Sequence, residues 1–104
     1  MLIDNNVFYP GKVKYNSFNI DFGKPFIEQS EELNEDLIQV ECDGNYVLDI
    51  GWYPEGDDKG MIIIQLIHNN DWGNPIIKES VLEAEALLKS ITKVMAVMKR
   101  NIPR

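Results

Sequence analysis

The sequence predicts an α+β domain, in which an antiparallel sheet of five or six strands forms a meander and a C-terminal amphipathic helix packs on one face. Three observations support this prediction. Short apolar runs with alternating parity recur between turn residues, two of these runs flank a seven-residue turn, and the last stretch of the chain has apolar residues at helical spacing. With 104 residues the chain is long enough for one core and too short for two, so we expect one domain, 1–104.

The first part of the chain predicts fewer well-defined elements than the rest. Lys12–Phe22 changes parity near Ser17, which indicates two short strands or one bulged strand. Phe26–Asp36 is an acidic link, either one or two helical turns capped by Ser30 or a loop. Leu37–Cys42 then alternates as a strand, with inward positions Ile38, Val40 and Cys42.

The central hairpin of the predicted sheet lies between residues 46 and 68. Asp43-Gly44-Asn45 is a hairpin turn that leads into the strand Tyr46–Tyr53. The turn Pro54–Gly60 separates this strand from Met61–His68, which is apolar on both parities as expected for a central strand. A further turn and a short strand at Ile76–Lys78 complete the meander. The inward face of the first hairpin strand consists of Tyr46, Leu48, Ile50 and Trp52.

The C-terminal helix has the clearest signals. Ser80–Glu83 has the spacing of a capping box, in which the serine hydroxyl and the glutamate satisfy backbone amides of the first turn. Acids at the start and bases at the end suit the helix dipole, and Asn101 and Pro103 predict its end. We expect the helix to pack on the hairpin through one apolar stripe, formed by Ala84, Leu87, Leu88, Ile91, Val94, Met95 and Met98.

The charge distribution is uneven. The formal net charge is −7, which argues against direct binding to nucleic acid or to an anionic membrane, because both need basic side chains. Eleven acids and no Lys or Arg lie between Glu28 and Asp58. This segment predicts an acidic surface, which either is solvated in the free protein or binds a basic partner. A basic partner is considered because the segment itself contains no base that would offset the repulsion between its acids.

Features that the sequence lacks give the main constraints on the cellular compartment of the protein and on its possible catalytic or metal-binding activity. No apolar run is long enough to span a bilayer, the N-terminus does not have the pattern of a signal peptide, and the lone Cys42 cannot form an internal disulfide. We therefore expect a cytoplasmic protein that needs no cofactor and no metal. A Cys-His enzyme would have to use Cys42 and His68, and the oxygen-rich turns at 55–58 and 69–71 lack the spacing of an EF-hand loop.

Three aromatic residues lie near the ends of the hairpin strands. Trp52 has inward parity, which favours a core position over a role in binding. Tyr53 and Trp72 lie beside turns rich in Asp and Asn, a composition that occurs at protein-binding surfaces as well as over sheet edges.

Several of these features together resemble the small immunity proteins of bacterial polymorphic toxin and contact-dependent growth inhibition systems. The resemblance covers Tyr46 to about Arg100 and consists of Gly51-Trp52-Tyr53-Pro54, the acidic turn that follows, the apolar strand, Asp71-Trp72 with Pro75, and the helix. It implies a cytoplasmic, non-enzymatic inhibitor that binds the C-terminal domain of a cognate toxin, often a nuclease. A nuclease active site is basic, so an acidic inhibitor can occupy it.

On this interpretation the free protein is a monomer or a weak dimer, and an acidic surface with aromatic anchors contacts the toxin. Because the turns at 54–60 and 69–75 lie at opposite ends of one strand, we rank the first above the second. Two alternatives are a self-associating adaptor that uses outer-face residues Val47, Met61, Ile63 and Ile67, and a small enzyme. The predicted partner-binding residues are Glu31, Glu32, Glu35, Asp36, Tyr53, Glu55, Asp57, Asp58 and Trp72.

Overall fold

A five-stranded antiparallel sheet with one α-helix packed on it forms the architecture of residues 1–101, the part of the chain that the computed structural model describes. Each strand pairs with its neighbours in sequence, which confirms the predicted α+β meander. Two 3₁₀ helices, Asn5–Phe8 and Phe26–Glu32, flank the first strand. The remaining elements are β1 (Lys12–Asn16), β2 (Ile38–Cys42), β3 (Tyr46–Tyr53), β4 (Met61–His68), β5 (Ile77–Val81) and α1 (Ala84–Asn101).

The core lies between the inner face of the sheet and α1. Strands β3 and β4 pair Leu48 with Leu66, Ile50 with Ile64 and Trp52 with Ile62, and all six side chains are fully buried. From the helix, the buried apolar residues are Leu87, Ile91, Val94, Met95 and Met98. Burying each large apolar side chain contributes roughly 1.5–3 kcal/mol, so this predicted core accounts for how the helix is held.

The start of the helix differs from the prediction. Ser80 lies within β5, opposite Ile63, and the ladder with β4 continues to Val81, so α1 begins only at Ala84. Strand pairing has overridden the local capping signal, and the predicted strand at 76–78 is correspondingly longer. Leu88, which we placed in the apolar stripe, is 42% exposed. Pro103, which we expected to mark the end of the helix, lies outside the described residues. None of the helices in residues 1–101 is long and apolar enough to cross a membrane.

The chain before β2 packs largely without regular structure. The register of β1 shifts between Val13 and Tyr15, so the strand is bulged, but the bulge does not lie near Ser17. The strand ends at Asn16, and residues 17–22, which we expected to continue it or to form a second strand, are not in a strand. The acidic link contains the 3₁₀ helix Phe26–Glu32, but its N-cap position is Pro25 rather than the predicted Ser30. A row of aromatic contacts connects this segment to the core, with Phe18, Phe22, Phe26 and Trp52 in sequence and ring centroids 6.2, 6.5 and 4.9 Å apart.

Candidate functional site

Two acidic segments that are distant in sequence meet at one end of the sheet. The backbone N–H of Gly56 donates to the carbonyl of Leu33 at 2.7 Å, and the backbone N–H of Glu35 donates to Oε1 of Glu55 at 3.2 Å. Both contacts join the link before β2 to the β3–β4 turn. We call the acids at this junction the acidic rim: Glu35, Glu55, Asp57 and Asp58.

Trp52 holds the turn that carries most of the rim. Its side chain is fully buried, and its indole N–H donates to the carbonyl of Asp57 at 2.7 Å. Gly60 packs so closely against the same indole that a Cβ atom at this position would lie 2.6 Å from Nε1. The core position expected for Trp52 is confirmed, and the residue also fixes the path of the acidic turn.

The rim acids have no basic partner among the described residues. The ion pairs of residues 1–101 join Lys14 to Glu41, Lys89 to Glu85 and Lys93 to Glu79, at 3.2, 3.3 and 2.6 Å. Of the acids between Glu28 and Asp58, only Glu41 therefore pairs with a base within residues 1–101. Lys59 is the one base in the turn, and its backbone N–H donates to Oδ1 of Asp57.

Not every acid predicted for the partner surface joins the rim. Glu31 and Glu32 lie on the second 3₁₀ helix or at its end, and they line a separate depression together with Lys24. Asp36 is exposed and lies beside Tyr15, on the face of the sheet opposite α1. The predicted surface is thus divided into a rim, a depression beside the 3₁₀ helix and an outer-face group.

A bulge between β2 and β3 connects the rim to this outer face. Leu37 donates its N–H to Ile50 O at 3.1 Å, whereas the next bond runs from the Trp52 N–H to Asn34 O at 2.8 Å. Glu35 and Asp36 loop out between these two bonds. The backbone of Glu35 lies over Gly51, where no Cβ atom would fit. Bulges redirect side chains in this way, and here two acids lie beside Gly51, near the end of the middle strand that leads into the rim.

A row of polar side chains crosses the outer face of the sheet next to the bulge. The strand registers place Asp49 opposite Gln39 on β2 and opposite Gln65 on β4. Asp49 is only 3% exposed although it lies on this outer face. Burial raises the pKa of its carboxyl, hydrogen bonds from the Gln65 and Gln39 amides oppose the rise, and the charge of Asp36 adds to it. The site therefore contains a buried carboxylate whose neighbours on the paired strands are neutral amides.

Tyr53 lies between the rim and this row. Its ring is half-buried and leans back toward Gly51. Burial raises the pKa of Tyr53 to about 12, and the charges of Asp49, Glu35 and Asp36 contribute. Burial also raises the pKa of Tyr15, with Asp36 and Asp49 contributing. We call these four residues the outer-face cluster: Tyr15, Asp36, Asp49 and Tyr53.

Trp72 lies at the opposite end of β4 from the rim. Its side chain is 45% exposed in the β4–β5 turn. Asn69 in that turn donates its N–H to Asn45 O at 3.0 Å, which places the turn beside the β2–β3 hairpin instead. The expectation that the two turns occupy opposite ends is confirmed, and Trp72 is not part of one surface with the rim.

Cys42 and His68 do not form a pair. Tyr46 lies between them in the sheet, opposite Cys42 on one side and His68 on the other. The His68 ring stacks on Tyr46 with centroids 4.2 Å apart, and its Nε2 is 3.1 Å from Gly44 O. Burial and the charge of Asp43 raise the pKa of the Cys42 thiol, which is the opposite of what a nucleophilic cysteine needs.

The apolar outer-face residues proposed for self-association do not form one exposed patch. Ile67 is fully buried, Val47 and Ile63 are half-buried, and Met61 is 37% exposed. The buried Asp49 and its amides lie in the same face. Within residues 1–101, no three Asp, Glu, His or Cys side chains are grouped so that they could hold a metal ion.

Sequence reasoning did not identify Tyr15, Gln39, Asp49 or Gln65 as site residues. A signal was present, because Asp49 and Gln65 are polar interruptions of two otherwise apolar strands. Only the register shows that these interruptions are cross-strand neighbours. The chain matches no protein-family model, no curated protein and no solved structure.

Proposed function

We propose that this protein is a cytoplasmic immunity protein of a bacterial toxin system, which binds a cognate basic toxin domain through the acidic rim and so neutralises it. The observation that carries the proposal is the junction of the two acidic segments. Their backbones are hydrogen-bonded to each other, and no rim acid has an ion pair within residues 1–101. Like charges held together at this junction repel one another, and a basic partner would relieve the repulsion.

The rim suits a nuclease domain as partner. Nucleases bind phosphate and need basic side chains around the active site, so carboxylates at the rim can occupy the positions of phosphates. Complementary charge accelerates encounter, with rate constants up to about 10⁸–10⁹ M⁻¹s⁻¹ at low salt. Inhibition in this proposal comes from binding alone, without catalysis, cofactor, nucleic acid or membrane contact by the inhibitor.

Self-association is the weaker of the two binding hypotheses. The apolar residues of the outer sheet face are interrupted by the buried Asp49 and by the exposed Lys78, so face-to-face packing of two copies would bury charged groups. We therefore describe the free protein as a monomer or a weak dimer.

Copurification with the product of the adjacent upstream gene tests the function. We expect a tagged copy of this protein to retain a basic C-terminal toxin domain encoded there and to restore growth of cells that express the domain. The association should slow as salt is added, because the attraction is between charges. A basic toxin domain from that gene that stays unbound at low and high salt, with growth still arrested, would contradict the proposal.

A further inference from the structure

We propose that the outer-face cluster is an arginine-binding site, in which a guanidinium from a basic partner pairs with Asp36 and Asp49 and stacks against the rings of Tyr15 and Tyr53. This site adds a specific contact to the proposed function. It rests on that function only in taking the toxin domain as the protein that supplies the arginine. It assigns to the sheet face a role distinct from that of the acidic rim, since the rim attracts a charged surface and the cluster receives one side chain.

Space for an incoming side chain lies beside the cluster. A depression of about 430 Å³ opens on the outer face and is lined by Tyr15, Asn16, Ser17 and Asp36. The Ser17 hydroxyl bonds the backbone oxygens of Asp36 and Leu37, so the loop that carries Asp36 is fixed to the end of β1. A side chain can therefore enter next to an aromatic ring and an exposed carboxylate whose backbone is held in place.

The two carboxylates of the cluster form no ion pair within residues 1–101. Asp49 is 3% exposed and its neighbours on the paired strands are the amides of Gln39 and Gln65. The ion pairs of residues 1–101 involve neither Asp49 nor Asp36. A buried carboxylate without a cation costs stability, and a carboxylate perturbed in this way beside a depression is a candidate for binding a ligand of opposite charge.

The chemistry of the cluster favours arginine over other cations. The guanidinium is planar, is weakly hydrated and forms two parallel hydrogen bonds to a carboxylate, and it also stacks on aromatic rings. The cluster offers both kinds of contact, because two tyrosine rings and two carboxylates share the outer face, where burial and then the carboxylate charges raise the pKa of both tyrosines. Lysine, a compact and strongly hydrated charge, gains less from the rings.

Titration of the isolated protein with a small probe tests the site without any toxin. The probe is the peptide acetyl-Gly-Arg-Gly-amide, and the matched peptide carries citrulline, which has nearly the same shape and no charge. We expect the arginine peptide to cause saturable shifts of the backbone amide NMR signals of Asp49, Gly51 and Tyr15, and the citrulline peptide to cause none. Equal shifts from the two peptides, or shifts confined to residues 54–60, would overturn the proposal.

Two variants and one control make the result specific. Asp49→Asn should weaken the arginine peptide about tenfold, because a charged hydrogen bond becomes a neutral one. Tyr53→Leu should weaken it by removing a stacking surface, whereas Asp43→Asn, an exposed acid in the β2–β3 turn, should leave it unchanged. If the Asp49→Asn variant does not fold, as shown by an NMR spectrum without dispersion, the affinities of Tyr53→Leu and wild type for the arginine peptide are compared instead. Unchanged binding in the folded variants would overturn the site.

The outcomes separate this inference from the proposed function. Arginine-peptide binding by a protein that retains no toxin domain would support the site and contradict the immunity function. Toxin binding that Asp49→Asn and Tyr53→Leu leave unchanged would support the immunity function and overturn the site.

Discussion

The backbone N–H of Gly56 donates a 2.7 Å hydrogen bond to the carbonyl of Leu33, and this bond joins the two acidic segments of the chain. The two residues are 23 positions apart in the sequence, so the shared surface depends on the fold. Gly56 adopts a φ of 72°, a conformation that side-chain-bearing residues disfavour. The position of the rim thus rests on one glycine in a turn and on the link that it contacts.

Gly56→Ala should destabilise the protein through backbone strain alone, because a Cβ atom at this position would meet nothing within 4 Å. The left-handed conformation costs a residue with a side chain about 1 kcal/mol, which we expect as the loss in free energy of unfolding by urea. Gly73→Ala is the matched control, since Gly73 has no positive φ and its nearest neighbour would be 3.8 Å away. Equal effects of the two substitutions would contradict this explanation.

Gly51→Ala should destabilise the protein for a different reason, which is lack of space. The backbone of Glu35 occupies the position that a Cβ atom needs, so the bulge would have to move. We expect a loss of about 1–3 kcal/mol in urea denaturation, together with altered amide signals for residues 34–37. A variant with wild-type stability and an unchanged spectrum would show that the bulge does not depend on this glycine.

Asp49→Asn should stabilise the protein at neutral pH. Burial raises the pKa of the Asp49 carboxyl above its ordinary value of 3.8, so the stability that this group contributes is fully present below 3.8 and is lost as the pH rises through its pKa in the folded protein. Asparagine never becomes charged and escapes that loss. The urea midpoint of the variant should exceed that of wild type near pH 7, and the difference should shrink toward about pH 3.

The control for that experiment is Asp43→Asn, at an exposed position in the β2–β3 turn. Its urea midpoint should follow wild type at both pH values. A lower midpoint for Asp49→Asn near neutral pH would mean that the carboxylate stabilises the sheet and that its charge is compensated within the protein.

Glu79→Gln should weaken the attachment of α1 to the edge strand. Glu79 accepts hydrogen bonds from Lys93 Nζ at 2.6 Å and from the Ser90 hydroxyl, and these bonds lower the pKa of its carboxyl below 4.5. Their contribution is present above pH 4.5 and is lost as the pH falls through the folded pKa. We expect a loss of about 0.5–1 kcal/mol near neutral pH, measured by thermal unfolding. An equal loss in strong acid would contradict an ionic origin.

The parts of the fold that the sequence predicted are those in which one local pattern decides the outcome. Alternation along β3 predicted that strand and its inner face, because a strand with one buried face must place apolar residues at every second position. The apolar run of β4 predicted a central strand, and the structure confirms it. Ser80 shows the limit of local signals, since its cap pattern was complete and pairing with β4 still held it in a strand.

The candidate site was less predictable because it is built from contacts between segments. The acid-rich stretch indicated a charged surface, but the bond between Gly56 and Leu33 decides which acids share it. The inward set of β3 leaves Asp49 on the outer face, but its burial follows from neighbours on two other strands and from the bulge. Alternation along one strand shows which side chains share a face, but not which residues of the neighbouring strands lie opposite them. It therefore could not reveal this cluster.

The most direct test of the account is the rate at which the protein associates with its cognate toxin domain, measured by stopped-flow at low and high salt. Two variants are compared, each lacking four negative charges of the formal −7. The rim variant carries Glu35→Gln, Glu55→Gln, Asp57→Asn and Asp58→Asn. The control variant carries Asp43→Asn, Asp71→Asn, Glu83→Gln and Glu85→Gln, all at exposed positions away from the rim.

We expect the rim variant to associate roughly tenfold or more slowly than wild type at low salt and to lose most of its salt dependence, because steering comes from charges that face the partner. The control variant should keep a rate within about twofold of wild type. Equal slowing of the two variants would show that net charge, and not the acidic rim, directs the encounter, and would contradict the central claim.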